Sequence, residues 1–166
     1  MTSAPVLADS RFRAPTILLG IGLGGFFDGI VLHQVLQWHH LLSTPYPPDT
    51  IPNLELNTFA DGLFHVVTWV ITVFAVGAVW MTVREVRGRP SWGVLIGGVL
   101  GGWGGFNLIE GIVDHHILGI HHVRPGPDQS LWDAAFLIWG ALMLLAGAFI
   151  LRRSHRLDHP TRSSSR

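Results

Sequence analysis

The sequence predicts an all-α integral membrane protein, a bundle of four transmembrane helices made of two parallel repeated helical hairpins. Composition is the first reason, since 48% of the 166 residues are hydrophobic and only 13% are charged, against about 25% charged residues in soluble domains. The second reason is that four apolar runs each reach the roughly 20 residues that a helix needs to cross a bilayer. These runs lie near 16–41, 58–83, 92–118 and 131–151. The third reason is a motif of acids and histidines that occurs twice.

The residue types that are missing narrow the possible chemistry. The chain has no cysteine, which excludes disulfides, thiolate metal ligands and cysteine nucleophiles. The chain has 11 arginines and no lysine, and its formal net charge is +0. Nothing in this charge indicates nucleic-acid binding. The expected partners are the lipid bilayer, a metal ion and a second copy of the chain.

The first apolar run is predicted to be a retained helix and not a signal peptide. Arg11 and Arg13 precede it, as in a secretory signal. It is too long for one, however, it contains Asp28 and His33, and it lacks a small-residue cleavage site.

The arginines predict the orientation of the chain. They cluster before the first run, between the second and third, and after the last, whereas the other two connections contain only Arg124. Because positive charges favour the inner side, we expect both termini in the cytoplasm of a bacterium, with the protein in the inner (cytoplasmic) membrane. Residues 1–15 form a cytoplasmic segment, 16–151 the membrane domain, and 152–166, with His155 and His159, a disordered cytoplasmic tail.

The repeated motif begins at Asp28 in the first copy and at Glu110 in the second. Residues 28–41 and 110–123 share half of their paired positions, including all three histidines of the first copy. The even-numbered helices also begin alike, with Asp61-Gly-Leu-Phe and Asp133-Ala-Ala-Phe. We therefore expect repeat 1 at about 16–83 and repeat 2 at about 92–151, related by an axis along the membrane normal. The glycine runs that precede both copies predict closely packed helices.

Counting about 1.5 Å of rise per residue along straight α-helices sorts the polar residues into two layers. Three helices each place one histidine roughly 10–12 Å below the outer surface. The predicted metal ligands are His33, His65, His115 and Glu110, with Asp28 and Asp114 as further ligands or as groups that orient the imidazoles. A second layer nearer the surface, predicted to be an entrance or a second site, comprises His39, His40, His121, His122, Asp61 and Asp133.

A bound cation is the preferred explanation for these polar groups. An uncompensated acidic residue at the centre of a span costs roughly 2.5–3.5 kcal/mol, and no lysine or arginine lies within the spans to neutralise Asp28, Glu110 or Asp114. Protonation or histidinium partners are the alternatives. Without sulfur ligands the site suits Zn²⁺, Cu²⁺, Fe or Mn, and the residue types do not distinguish these metals.

The chain resembles a family of bacterial membrane proteins known as DUF2243, a domain of unknown function. The resemblance rests on GGFFDGIVLHQVLQWHHLL at 24–42, DGLFH at 61–65 and GWGGFNLIEGIVDHHILGIHHV at 102–123. It implies a four-span membrane protein and brings no established activity.

Three functions remain open at this stage. The first is a membrane metalloprotein, either an oxidoreductase or a factor that handles metal for the respiratory chain. The second is a b-type haem protein with a bis-histidine pair such as His33 and His115. The third is a proton- or metal-coupled transport module, whose transport pathway would be larger in a dimer. The sequence assigns no catalytic residue, and whether the protein is an enzyme stays open.

Overall fold

The computed structural model describes residues 7–158, and every regular element in that range is helical. Two helices change from α to π geometry near their C-terminal ends. The elements are α1 (Leu7–Phe27) with the π-helical segment Asp28–Val35, α2 (Ile51–Val86), α3 (Trp92–Glu110) with the π-helical segment Gly111–Ile117, and α4 (Gln129–Asp158). Helix α4 includes residues 152–158 of the predicted tail. The rest of that tail, with His159, and the first six residues lie outside the described range.

Four helices are long and apolar enough to cross a membrane. They cover Ser10–Val35, Ile51–Val86, Trp92–Ile117 and Gln129–Ser154. The predicted class, an all-α integral membrane protein with four spans, is therefore confirmed. Helix α2 has 36 residues, and at about 1.5 Å per residue it exceeds the roughly 30 Å of a hydrocarbon core.

Helices α1 and α3 form the central pair of the bundle, with α2 packed on α1 and α4 packed on α3. Within residues 7–158, α2 and α4 do not contact each other, so the four helices form a row and not a closed ring. Large apolar side chains such as Phe74 and Leu145 are exposed on the outer helices. Lipid covers such surfaces in a membrane protein.

Glycines allow the central helices to approach closely, as the glycine runs predict. A methyl group on Gly20 would lie 2.2 Å from the carbonyl oxygen of Val99, and one on Gly102 would lie 2.0 Å from that of Ile17. Backbone therefore contacts backbone between α1 and α3. This contact holds together the two helices that carry the repeated motif.

The first transmembrane helix ends earlier than the sequence predicts, at Val35 and not near residue 41. The amide of Leu36 donates to the carbonyl of Val31 and that of Trp38 to the carbonyl of Leu32, which closes wider turns than those of an α-helix. Gln37 then adopts a left-handed conformation with φ of 48°. This reverses the chain, so the residues that follow do not continue along the helix axis.

The third helix ends in the same way. The amide of Leu118 donates to Val113 and that of Ile120 to Asp114, and Gly119 has φ of 59°. The two copies of the motif thus adopt the same local structure. Their final histidines lie in the segments after these reversals.

Candidate metal centre

The π-helical segments place a carboxylate beside a histidine five residues later. On an α-helix, residues five apart are separated by about 140° around the axis, whereas the wider π turn brings them onto one face. His33 Nε2 accordingly lies 3.1 Å from Asp28 Oδ2, and His115 Nε2 lies 3.0 Å from Glu110 Oε1. The sequence, treated as a regular α-helix, pairs Asp28 with His39 on one face and does not predict these contacts.

The chain reversals return the first histidine of the final His-His pair of each motif to the bundle interior. His39 and His121 are 2% and 1% exposed, and their rings stack with centroids 4.6 Å apart. The ring of His39 lies 4.4 Å from that of His33, and the ring of His121 lies 4.8 Å from that of His115. The depth count on straight helices put these residues in a separate layer near the surface. In the structure they contact the deeper histidines.

We call this group the acid–histidine cluster. Its members are Asp28, His33, His39, Glu110, His115 and His121, all of them buried.

Backbone carbonyls fix the tautomers of the two returning histidines. His39 Nδ1 donates to the carbonyl of Val123 at 2.7 Å, and His121 Nδ1 donates to that of Leu41 at 3.2 Å. A carbonyl only accepts, so in each neutral ring the proton sits on Nδ1 and Nε2 has a lone pair. Burial, together with the nearby imidazoles, lowers the pKa of His39 to about 2, which keeps this ring neutral.

Asp61 of α2 holds the outer side of the first motif. Its carboxylate accepts from His33 Nδ1 at 2.9 Å, from His40 Nδ1 at 2.7 Å and from the amide of Leu41 at 2.9 Å. It therefore fixes both the orientation of a buried imidazole and the path of the chain after the reversal.

Asp133 of α4 makes the matching contacts in the second motif. It accepts from His122 Nδ1 at 2.7 Å and from the amide of Val123 at 2.9 Å, and it lies 3.4 Å from His115 Nδ1. His40 and His122 are partly exposed. They contact these aspartates and not the interior of the cluster.

Several buried atoms of the cluster have no hydrogen-bond partner. They include His39 Nε2, His115 Nδ1 and Glu110 Oε2. His33 Nε2 and His115 Nε2 lie 3.1 and 3.0 Å from the carboxylates of Asp28 and Glu110 but form no hydrogen bond with them. Buried polar atoms are normally paired. Two sets of donor atoms could hold a metal ion, and within each set the atoms lie within 4.8 Å of one another. One set comes from His33, His39 and His121, and the other from Glu110, His115 and His121.

Residues 15–154 match the family DUF2243, described as a predicted membrane protein. The chain belongs to DUF2243. This agrees with the resemblance seen in the sequence, and the match includes all of α2 and α3, most of α1 and α4, and the whole cluster. No curated protein and no solved structure matches this DUF2243 chain.

Three of the ligands predicted for this DUF2243 protein, Asp28, His65 and Asp114, lie outside both donor sets within residues 7–158. Asp28 still contacts the cluster, at 3.1 Å from His33 Nε2. His65 Nδ1 donates to the carbonyl of Asp61 one turn earlier, at 2.6 Å. Its ring packs on Gly29, where a methyl group would lie 2.7 Å from His65 Nε2. Asp114 is only partly buried. His33, His115 and Glu110, by contrast, are brought together with the two histidines that the sequence assigned to the second layer.

The outer helices of the DUF2243 protein cover the cluster with aromatic rings. Phe64 of α2 stacks on His33 with centroids 5.7 Å apart, and Phe136 of α4 lies 5.5 Å from His115. These contacts exclude water from the imidazoles of both motifs. One sequence signal could have revealed the inward return of the final histidines, because a glycine at position 119 is typical of the residue that ends a helix.

Proposed function

We propose that this protein is an integral membrane metal-binding protein whose His/carboxylate site lies between the two central helices, in the outer half of the bilayer. One observation carries the proposal. The imidazoles of the acid–histidine cluster have their Nδ1 atoms turned towards carbonyls or aspartates, while their Nε2 atoms converge, three of them beside the carboxylates of Asp28 or Glu110. Metal-bound histidines have this arrangement, since the second ring nitrogen is commonly held by a carboxylate or a carbonyl.

The contact between His121 and Glu110 supports a cation within the cluster. His121 Nε2 lies 2.9 Å from Glu110 Oε1. Because Nδ1 of this histidine donates to Leu41, Nε2 of the neutral ring is an acceptor that faces a second acceptor. A cation between them turns this repulsion into two favourable bonds and offsets the cost of a buried carboxylate.

The donor types indicate a class of metal. Imidazole nitrogen and carboxylate oxygen suit Zn²⁺, Fe, Mn or Cu²⁺. The group of Glu110, His115 and His121 has the two-histidine, one-carboxylate composition found in non-haem Fe(II) oxygenases. This composition supports a membrane oxidoreductase or a factor that handles metal for the respiratory chain.

The packing of the rings favours a metal ion over a haem. A bis-histidine haem needs its flat macrocycle between two axial imidazoles. Instead, the ring centroid of His121 lies 5.9 Å from that of His33, and the ring centroid of His39 lies 6.3 Å from that of His115. They take up the space in which a haem between His33 and His115 would lie.

Matched contacts support the proposed internal repeat. Leu41 and Val123, 82 positions apart in the sequence, both donate their amides to an aspartate of the next helix. Gly22 packs on Thr72 of α2, and Gly104, again 82 positions later, packs on Leu144 of α4. We propose two repeated hairpins related by an axis along the membrane normal, with both termini in the cytoplasm.

Metal analysis of the purified protein tests the proposal. The protein is extracted from membranes, and its Zn, Fe, Mn and Cu contents are measured before and after removal of metal and reloading with each ion. We expect a stoichiometric amount of one of these metals in the wild type, and weaker binding of it in His121→Ala, so that less metal stays with this variant through purification. The matched control is His116→Ala, since His116 is exposed and bonds only to Gly111 of its own helix. A folded protein that binds none of the four metals stoichiometrically contradicts the proposal.

A further inference from the structure

We infer that the two halves of the protein close on one metal ion and do not hold one ion each. The inference rests on the proposed metal-binding function. The ion is held jointly by the acid–histidine cluster, with donors from the first half (residues 7–86) and from the second half (92–158).

Three imidazoles of the cluster have only one nitrogen to offer. The Nδ1 atoms of His39 and His121 donate to carbonyl groups, and that of His33 donates to Asp61 at 2.9 Å. His115 Nδ1 lies 3.4 Å from Asp133 and makes no hydrogen bond. His33, His39 and His121 therefore cannot bridge two ions through both of their nitrogens. The four Nε2 atoms are the nitrogen donors of the proposed site.

The two donor sets compete for the same atom. His121 belongs to both the set with His33 and His39 and the set with Glu110 and His115. Its single free lone pair, on Nε2, binds one ion at a time. Two ions would leave one of the sets with only two members, so the sets mark overlapping parts of one site.

The hydrogen bonds also cross between the halves. His39 of the first half is oriented by the carbonyl of Val123 in the second, and His121 of the second by the carbonyl of Leu41 in the first. Each half thus positions a ligand of the other. The set of Glu110, His115 and His121 lies in the second half, but His121 within it is positioned by Leu41 of the first half.

The carboxylates beside the Nε2 atoms come from both halves. Within the described residues, Asp28 of the first half and Glu110 of the second contact these atoms at 2.9–3.1 Å, and both residues are buried. One divalent cation between the halves offsets the charge of both carboxylates and so the cost of burying them.

Stoichiometry measured on both halves tests the inference. The full-length protein in detergent, freed of metal, is titrated with Zn²⁺ and with Co²⁺, and the bound metal is measured after desalting. The variants are His39→Gln in the first half and His115→Gln in the second, with His116→Gln as the control. Glutamine keeps much of the volume of the ring, and circular dichroism checks that each variant is folded.

We expect one equivalent per chain in the wild type and in the control, and the same equivalent to be lost, or bound at least tenfold more weakly, in both cluster variants. Two equivalents in the wild type, with one kept at full affinity in each variant, would overturn the inference and leave the proposed function intact. A wild type that binds neither metal contradicts the proposed function itself. If a glutamine variant does not fold, Glu110→Gln replaces it with the same expected outcomes.

Discussion

At the scale of single residues, Asp61 and Asp133 act on the cluster through the imidazoles they hold. Each is almost fully buried, accepts from the backbone after a chain reversal and contacts one histidine of the cluster. In the proposed metal site, their role is to orient two of the ligands. Carboxylates of this kind commonly contribute to metal affinity as well as to structure.

We expect Asp61→Asn to weaken metal binding by roughly 10–100-fold. Asparagine keeps the shape of the side chain but weakens the acceptor that holds His33 Nδ1 at 2.9 Å. Competition with a chelator measures the affinity for Zn²⁺, and Asp61→Glu should restore part of it. The control is Asp49→Asn, on the exposed loop before α2. Equal affinities of Asp61→Asn and the control would show that the carboxylate does not orient a ligand.

Backbone conformation at the second chain reversal gives a further prediction. Gly119 has φ of 59°, and a methyl group there would meet no neighbouring atom. Gly119→Ala should therefore lower the free energy of unfolding by about 1–2 kcal/mol through backbone strain alone. Gln37 has φ of 48° at the equivalent position, and Gln37→Gly should not destabilise the protein. Thermal unfolding in detergent measures both, and an unchanged Gly119→Ala variant would rule out the strain.

At the scale of the elements, the close contact of α1 and α3 determines whether the two motifs meet. Gly101 and Gly102 are neighbours in sequence but differ in their surroundings. A methyl group on Gly102 would lie 2.0 Å from the carbonyl oxygen of Ile17, and one on Gly101 would lie in open space.

Gly102→Ala should separate α1 from α3 and destabilise the protein by about 1–3 kcal/mol. It should also weaken metal binding, since both helices carry donors of the cluster. Gly101→Ala is the matched control and should behave like the wild type. Thermal unfolding and a Zn²⁺ titration measure the two effects, and similar results for both variants would contradict the observed packing.

The helices themselves could be predicted from the sequence, whereas the π-helical geometry at the ends of the first and third could not. Apolar runs of sufficient length define the four spans, and the glycine runs predict close packing without identifying which glycines make it. In the π-helical segments, backbone amides bond to the carbonyl five residues earlier instead of four. This change has no clear pattern in residue type. If residues 28–41 are treated as a straight α-helix, Asp28 and His39 lie on one face. The contact of Asp28 with His33 is then not predicted.

At the scale of the whole molecule, the row of helices places the cluster where the first half of the protein meets the second, between α1 and α3. The sequence predicted that His33, His115 and Glu110 lie close together, because the motif is repeated and depth could be counted along each helix. It could not predict the inward return of His39 and His121, because this depends on the chain reversals and on hydrogen bonds between distant halves.

Membrane orientation is a prediction at this same scale. The chain has no cysteine, so single cysteines can be introduced and labelled without background. A maleimide that cannot cross membranes should label Asp49→Cys in intact cells, and should label Arg89→Cys only after the membrane is opened, because arginines favour the cytoplasmic side. Both positions are exposed. The reverse labelling pattern would place the cluster in the inner half of the bilayer.

The central claim is that buried imidazoles of both halves bind one metal ion. X-ray absorption spectroscopy of the protein loaded with one equivalent of Zn²⁺ tests it most directly, since imidazoles give a characteristic multiple-scattering signal. The account predicts a shell of nitrogen and oxygen at about 2.0–2.2 Å, with imidazoles from His33, His39, His115 and His121, and a weaker imidazole signal in His121→Ala. A shell of oxygen alone, or one that is unchanged in His121→Ala, would contradict it.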